Sequence, residues 1–330
     1  MSDIACPDLR FGVVAIGRNE GERLRRCLES VVAQATLVVY VDSGSTDHSL
    51  EIARSLNIAL VNLDTTIPFT AARARNEGLR RLCELQPDLN YVQFVDGDCE
   101  VADGWLSVAV QYLATNPRVA VVCGRRREKF PERSVYNLLC DQEWDTPIGE
   151  ARACGGDAMM RIAALRRVGG FRPDLIAGEE PELCVRLRAD GWRIWRLDHE
   201  MTRHDAAMTR FGQWWRRTLR GGYAFAEGAY LHGASAERHW VGEARRARVW
   251  GMLLPGSTLL LSLLNPLWLL LLLAYPLQVL RLALQGRGTA RENWWRALFL
   301  VIGKFPEGLG QINFLRNRLG GRQGSLIEYK

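Results

Sequence analysis

Tyr91-Val92-Gln93-Phe94-Val95-Asp96-Gly97-Asp98 is the stretch whose reading decides the fold. Tyr91 to Val95 is short, β-branched and aromatic, the pattern of a buried strand. It runs directly into two carboxylates separated by one glycine. Carboxylate oxygens suit a hard divalent cation, Mg²⁺ or Mn²⁺, shared with substrate phosphates. Gly97 gives the turn its freedom and lets a pyrophosphate approach the backbone. Ends of strands are also where open α/β sheets take their ligands. A solvated acidic turn after a strand would show the same residues, so the remainder of the chain has to decide.

The chain of 330 residues is 48% hydrophobic, enough for one large domain or a domain with an appendage. Its net charge of +6 is carried almost entirely by arginines, clustered towards the second half. That balance points to phosphate-bearing ligands or an anionic membrane surface. No stacked-aromatic RNA motif or zinc module is visible, so no nucleic-acid partner is expected. The eight cysteines are scattered singly without a C-x-x-C pair, and read as reduced packing residues of a cytosolic domain. Met1 to Arg10 carries two acids and no long apolar run, and does not read as a secretory signal.

Outward from the central stretch, strands alternate with helices. Strands are expected at Phe11 to Ile16, Leu37 to Val41, Ile58 to Leu63, Tyr91 to Val95 and Val119 to Cys123. Helices are expected at Glu22 to Gln34, Asp47 to Leu56 (capped by Ser45 or Thr46) and Ala71 to Leu85. This succession implies βαβ units, a mostly parallel sheet and an α/β nucleotide-binding architecture. The loop Asp42-Ser43-Gly44-Ser45-Thr46-Asp47 fits a nucleotide grip or an ordinary strand-to-helix turn. Farther on, Cys154-Gly155-Gly156-Asp157-Ala158-Met159-Met160 reads as a glycine-rich turn entering a short strand. A helix over Ile162 to Val168 stops at Gly169-Gly170. Gly178-Glu179-Glu180-Pro181-Glu182-Leu183 starts another helix, with Pro181 in its first turn. Acids there either favour the helix dipole or include a general base.

These pieces, taken in order, resemble family 2 glycosyltransferases, inverting enzymes of the GT-A fold, of the membrane-associated bacterial type. The resemblance covers roughly residues 10 to 230 through Asn19-Glu20, Val41 to Asp47, Ala74-Arg75-Asn76-Glu77-Gly78, Asp96-Gly97-Asp98, Gly155-Gly156-Asp157 and Gly178 to Leu183. It implies a nucleotide-sugar donor, with Asn19, Glu20 and Asp42 towards the nucleoside and Arg75 near the diphosphate. Asp96 would meet ribose or metal, and Asp98 would hold Mg²⁺ or Mn²⁺. Gly155, Gly156 and Asp157 would line the sugar and acceptor side, and Glu180 matches the catalytic base. Two departures stand out: Ser43 where the family often has a second aspartate, and Glu180 where it commonly has aspartate. Glu179 and Glu182 remain rivals for the base. His204 is a candidate metal or diphosphate ligand, with a packing histidine as the alternative. Phe211-Gly212-Gln213-Trp214-Trp215-Arg216-Arg217 resembles a segment that related enzymes keep near acceptor and diphosphate, and also suits an interfacial helix.

From Val249 to Leu280 there are 32 residues without a charge, flanked by Arg245, Arg246 and Arg248 and by Arg281, Arg287 and Arg291. One straight helix of that length would reach about 48 Å, more than the roughly 30 Å of bilayer hydrocarbon. Pro255, Pro266 and Pro276 also argue against a straight rod. A re-entrant hairpin turning near Asn265-Pro266, a kinked span and a buried core helix are the options. The expectation is a catalytic domain over 1–235 and a helical, membrane-associating region over 236–330. The enzyme would sit at the inner (cytoplasmic) membrane with its catalytic domain cytosolic. It would transfer sugar to a saccharide or polyprenyl-linked acceptor among membrane lipid. A sugar nucleotidyltransferase would need a glycine-rich basic loop after the first strand, for which Gly17-Arg18-Asn19-Glu20 is a poor substitute. A non-catalytic membrane scaffold keeping the fold is the third reading.

Overall fold

The structure, a computed structural model, describes residues 10–321 and 324. The opening stretch discussed above lies outside them, save for Arg10. The chain forms two compact units, one of residues 10–132 and 140–207, the other of residues 133–139 and 208 onward.

The first unit is built on a nine-stranded sheet: β1 (Phe11–Gly17), β2 (Leu37–Asp42), β3 (Ala59–Asn62), β4 (Tyr91–Asp96), β5 (Cys99–Val101), β6 (Val119–Glu128), β7 (Gly149–Ala151), β8 (Ala158–Arg161) and β9 (Arg193–His204). Spatial order is β3-β2-β1-β4-β8-β6-β9-β5, with β7 on β9. The first four strands in that order are parallel, as their helical crossovers require. Beyond β4 the sheet is mixed, as the GT-A resemblance implies: β8 runs antiparallel to both β4 and β6, and β5 antiparallel to β9. The result is a GT-A-like mixed sheet. Val13, Val14, Val39, Val41, Val92, Phe94, Val121 and Val122 are all fully buried, as strands covered on both faces must be.

Helix Ala71–Leu85 shows how closely the layers meet. Thr70 caps it, its hydroxyl accepting from Arg73 N at 3.1 Å. Gly78 lies against the sheet where an added Cβ would come within 2.3 Å of Val14 Cγ1. The expected cap of the preceding helix by Ser45 or Thr46 is not found. That helix starts at Ser49, and both hydroxyl residues instead bind Asn19: Ser45 Oγ accepts from Asn19 N at 2.9 Å, and Thr46 N donates to Asn19 Oδ1 at 2.7 Å.

The second unit is helical. Phe211–His232 packs on Lys304–Leu319 and groups with the C-terminal helices. Gly222 and Gly310 allow the close approach, since a Cβ on Gly222 would fall 2.1 Å from Glu307 O. Among the described residues one helix, Pro266–Leu284, is long and apolar enough to cross a membrane.

Candidate metal and donor site

Register aligns the functional loops. Gly17 pairs with Asp42 and Ile16 with Asp96, so the carboxyl ends of β2, β1 and β4 lie side by side. At β2, Asp42 is buried and saturated by local donors: Tyr40 Oη at 3.0 Å, Gly44 N at 2.9 Å and Ser45 N at 2.8 Å. Asn19, in the left-handed region at φ 56°, ties the loop after β1 to that turn. Glu20 N donates to Ser49 Oγ, and its carboxylate lies 2.7 Å from Arg23. Asn19 and Asp42 are thus linked through Ser45, while Glu20 is tied beside them to Ser49 and Arg23.

The second group centres on Arg75. Its guanidinium is 2% exposed and reaches Asp96 Oδ1 and Glu179 Oε1, both at 2.8 Å, with Glu180 Oε1 at 3.0 Å. Burial pulls its pKa down, but Glu180, Asp96 and Glu179 outweigh that and hold it charged. Phe171 lies under it, 5.7 Å from ring centroid to guanidinium carbon. Gly156 borders the pair, and a Cβ there would meet Arg75 Nη2 at 2.4 Å. Gly155 is exposed beside it.

Glu179 and Glu180 open the helix Glu179–Ala189, whose N-cap Gly178 takes the left-handed conformation at φ 78°. Burial, then the neighbouring Glu179 carboxylate, raises Glu180 to about 7, with Arg75 opposing the rise. Glu182 is buried and grasped by Arg186 at 2.7 Å, which makes it a helix-fixing ion pair.

Arg126, half-buried, gives the site its second cation, and sequence reading missed it. It lies 2.7 Å from Asp157 Oδ2 and 3.3 Å from Asp96 Oδ2, beneath the Trp144 ring. Asp157 is wholly enclosed. Its other bonds come from Asp96 N at 3.0 Å and Thr202 Oγ1 at 2.7 Å, so it braces the end of β4.

Asp98 and His204 meet at the edge formed by β5 and β9, where Cys99 pairs with His204. Asp98 Oδ2 and His204 Nε2 are 3.1 Å apart, and Trp144 stands edge-on to the imidazole at 4.9 Å. His204 Nδ1 is buried without a hydrogen-bond partner, with Glu128 Oε2 at 3.8 Å. Ligand atoms of Asp98, Cys99 and His204 all lie within 4.8 Å of one another. Burial pushes the Cys99 thiol well up, so the usable donors are carboxylate and imidazole. That pair suits Mn²⁺ or a related first-row cation better than Mg²⁺. The convergence of an Asp98 carboxylate oxygen and a His204 ring nitrogen in one buried cluster is the observation that makes a divalent cation fit here.

Across these groups Arg75 pairs with Asp96, Glu179 and Glu180, Arg126 pairs with Asp96 and Asp157, and Asp98 pairs with His204.

Comparison with known proteins agrees with this geometry. Residues 13–165, just under half of the chain, match the family model of glycosyl transferase family 2. The chain is 29% identical to the succinoglycan biosynthesis protein ExoA of Rhizobium meliloti, over 54% of this chain and 55% of that protein. It is 33% identical to the glycosyltransferase AglE of Haloferax volcanii, over 53% and 60%. It thus spans little more than half the length of these relatives. Among solved structures it is similar to the mannosyltransferase PcManGT of Pyrobaculum calidifontis, solved with GDP-Man and Mn²⁺. The TM-score is 0.60 at 21% identity, covering 94% of this chain and 88% of that one. S. aureus TarS gives 0.52 at 14% identity, over 95% and 92%. Residues 13–165 are thus similar to glycosyl transferase family 2, and the first unit has a GT-A-like fold with a cluster able to hold a divalent cation.

Proposed function

We propose that the protein is an inverting, metal-assisted glycosyltransferase that takes sugar from a nucleotide-diphosphate donor at the cytosolic face of a membrane. The observation that carries this reading is the pairing of a cation-ready Asp98–His204 site with a carboxylate poised near neutrality, on a domain matching family 2. Bound between Asp98 and His204, a divalent cation would neutralise charge gathering on the departing diphosphate.

The chain's own residues supply the other functions. Glu180 takes the acceptor proton as the new bond forms, the sugar being attacked opposite the leaving group with inversion. Arg75 has its fork filled by carboxylates, so we assign it to positioning Asp96 and Glu180. Arg126 and Asp157 hold the end of β4 still, so that Asp96 and Asp98 keep their places. Asn19, Glu20 and Asp42 shape the nucleoside end, and Gly155 and Gly156 let the sugar approach the backbone. A base near neutrality favours a hydroxyl acceptor over a lipid phosphate, which is already ionised and needs no base. The membrane assignment draws on the exposed apolar helices of the second unit.

The test is to incubate the purified protein with a panel of nucleotide sugars, with and without Mn²⁺, and identify the nucleotide released. Mn²⁺-stimulated release of nucleoside diphosphate is expected. Pyrophosphate turnover would point to nucleotidyl transfer, and silence across the panel to a scaffold.

A further inference from the structure

We propose that residues 249–284 form a hairpin that enters a lipid bilayer and turns round inside it, both arms leaving on the side they entered. The inference sharpens the membrane assignment above and rests on it, not on the chemistry.

The first arm is Val249–Leu253 continuing into Leu254–Ser262, and the second is Pro266–Leu273 continuing into Ala274–Leu284. The arms pack on each other, and Tyr275 Oη donates to Trp250 O at 2.6 Å. A single span can be set aside because the segments before and after the hairpin form one packed body. Gln311 Nε2 donates to Ala244 O at 3.0 Å, and Val241–Arg248 packs on Lys304–Leu319. Chain entering and chain leaving are therefore on the same side.

A hairpin crossing the whole bilayer would place its turn in water and would carry polar residues there. Here the turn is Leu263-Leu264-Asn265-Pro266, with Leu263 83% and Leu264 82% exposed. Its backbone donors are satisfied within the turn. Leu263 N reaches Leu260 O, Leu264 N and Asn265 N reach Leu261 O, Trp268 N reaches Asn265 O, and Leu267 N reaches Asn265 Oδ1. Pro266 has no N–H to satisfy. A turn whose backbone donors are paired can lie in hydrocarbon, where an unpaired one would cost several kcal/mol.

Length agrees. The first arm, Val249 to Ser262, is roughly 21 Å long, short of the roughly 30 Å of hydrocarbon, so a pair of arms joined by this turn reaches only part-way even though the second arm alone could cross. At the base, Arg245, Arg246 and Arg248 precede the first arm, and Arg281, Arg287 and Arg291 close the second. Trp250, Trp294 and Trp295 accompany them, with the last two exposed. Basic and indole side chains together suit the headgroup layer of an anionic leaflet.

The experiment uses the full chain in sealed vesicles of phosphatidylcholine and phosphatidylglycerol, carrying Arg245→Cys, Leu264→Cys or Arg287→Cys. A membrane-impermeant maleimide is applied outside, then inside after permeabilisation, and native-thiol labelling is subtracted. We expect Arg245→Cys and Arg287→Cys to label from the same side, and Leu264→Cys to label from neither until detergent is added. Labelling of Leu264→Cys from the opposite side would overturn the proposal in favour of a two-pass hairpin. Arg245→Cys and Arg287→Cys on opposite sides would overturn it in favour of a single span. A double Leu263→Lys, Leu264→Lys variant should lose vesicle binding by about 100-fold or more while staying folded, because both side chains are exposed. Wild-type protein that stays off vesicles as a dimer would give the apolar face to a second copy, ending this proposal and the membrane assignment while leaving donor turnover untouched.

Discussion

Replacing Glu180 by glutamine removes the proposed proton acceptor while preserving its length, and the geometry fixes what the pH profile should do. Burial and then Glu179 raise Glu180 to about 7, against the pull of Arg75. With that pKa, about one-tenth of the side chain is ionised at about pH 6 and about nine-tenths at about pH 8. A base acts in its ionised form, so wild-type kcat/KM should climb roughly tenfold over that interval and fall on the acid side. Glu180→Gln should lower turnover by roughly 10²–10⁴ and flatten the acid limb. Glu179→Gln removes the neighbouring negative charge, so the limb should shift to lower pH with turnover at about pH 8 retained. Stability moves oppositely. A carboxyl raised by folding favours the native state below its unfolded pKa, and that contribution is lost as pH rises through about 7. Glu180→Gln should therefore melt higher than wild type at about pH 8 and alike at about pH 4. The assay is initial-rate release of nucleoside diphosphate across this range, with thermal melts alongside. Full turnover and an unchanged limb in Glu180→Gln, or turnover lost in Glu179→Gln alone, would refute the reasoning.

Two further outcomes follow from the buried ion pairs. Arg126→Met leaves the enclosed Asp157 without its cation and should cost about 3 kcal/mol in urea unfolding at neutral pH. A loss under about 1 kcal/mol would mean that Thr202 and the Asp96 amide suffice to hold Asp157. Gly156→Ala places a methyl 2.4 Å from Arg75 Nη2 and 2.8 Å from Asp96 Oδ2, so it should cut kcat/KM by at least about tenfold through misplacement of the site. Unchanged kinetics in that variant would show the glycine to be dispensable.

Much of the first unit was legible because its strands are apolar runs ending in chemistry. The strand read at Tyr91 to Val95 is found one residue longer, to Asp96, Ala71 to Leu85 appears as read, and Pro181 does lie in the first turn of its helix. What escaped is the end of β6. Its apolar run stops at Cys123 and continues as Gly124-Arg125-Arg126-Arg127-Glu128, which resembles a solvated loop. In the structure Arg125 and Arg127 both pair with Asp141, while Arg126 and Glu128 turn to the buried side towards Asp157 and His204. Alternation with period two was present in those residues, but charge masked it. Arg75 was singled out as a cation, yet its burial among carboxylates depends on a helix start about a hundred residues later, which no local pattern carries. The turn at Asn265-Pro266 was visible from its proline and asparagine. The packing of Gln311 on Ala244, which fixes both ends to one side, was not.

The central claim is that Asp98 and His204 together hold the cation that receives the donor's diphosphate. Electron paramagnetic resonance of Mn²⁺ titrated into the full chain with a nucleoside diphosphate tests it most directly. The account predicts a tight ternary site in wild type, binding weakened at least about tenfold in Asp98→Asn and in His204→Gln, and no change in Glu182→Gln. Mn²⁺ held equally well by wild type and both ligand variants would contradict it.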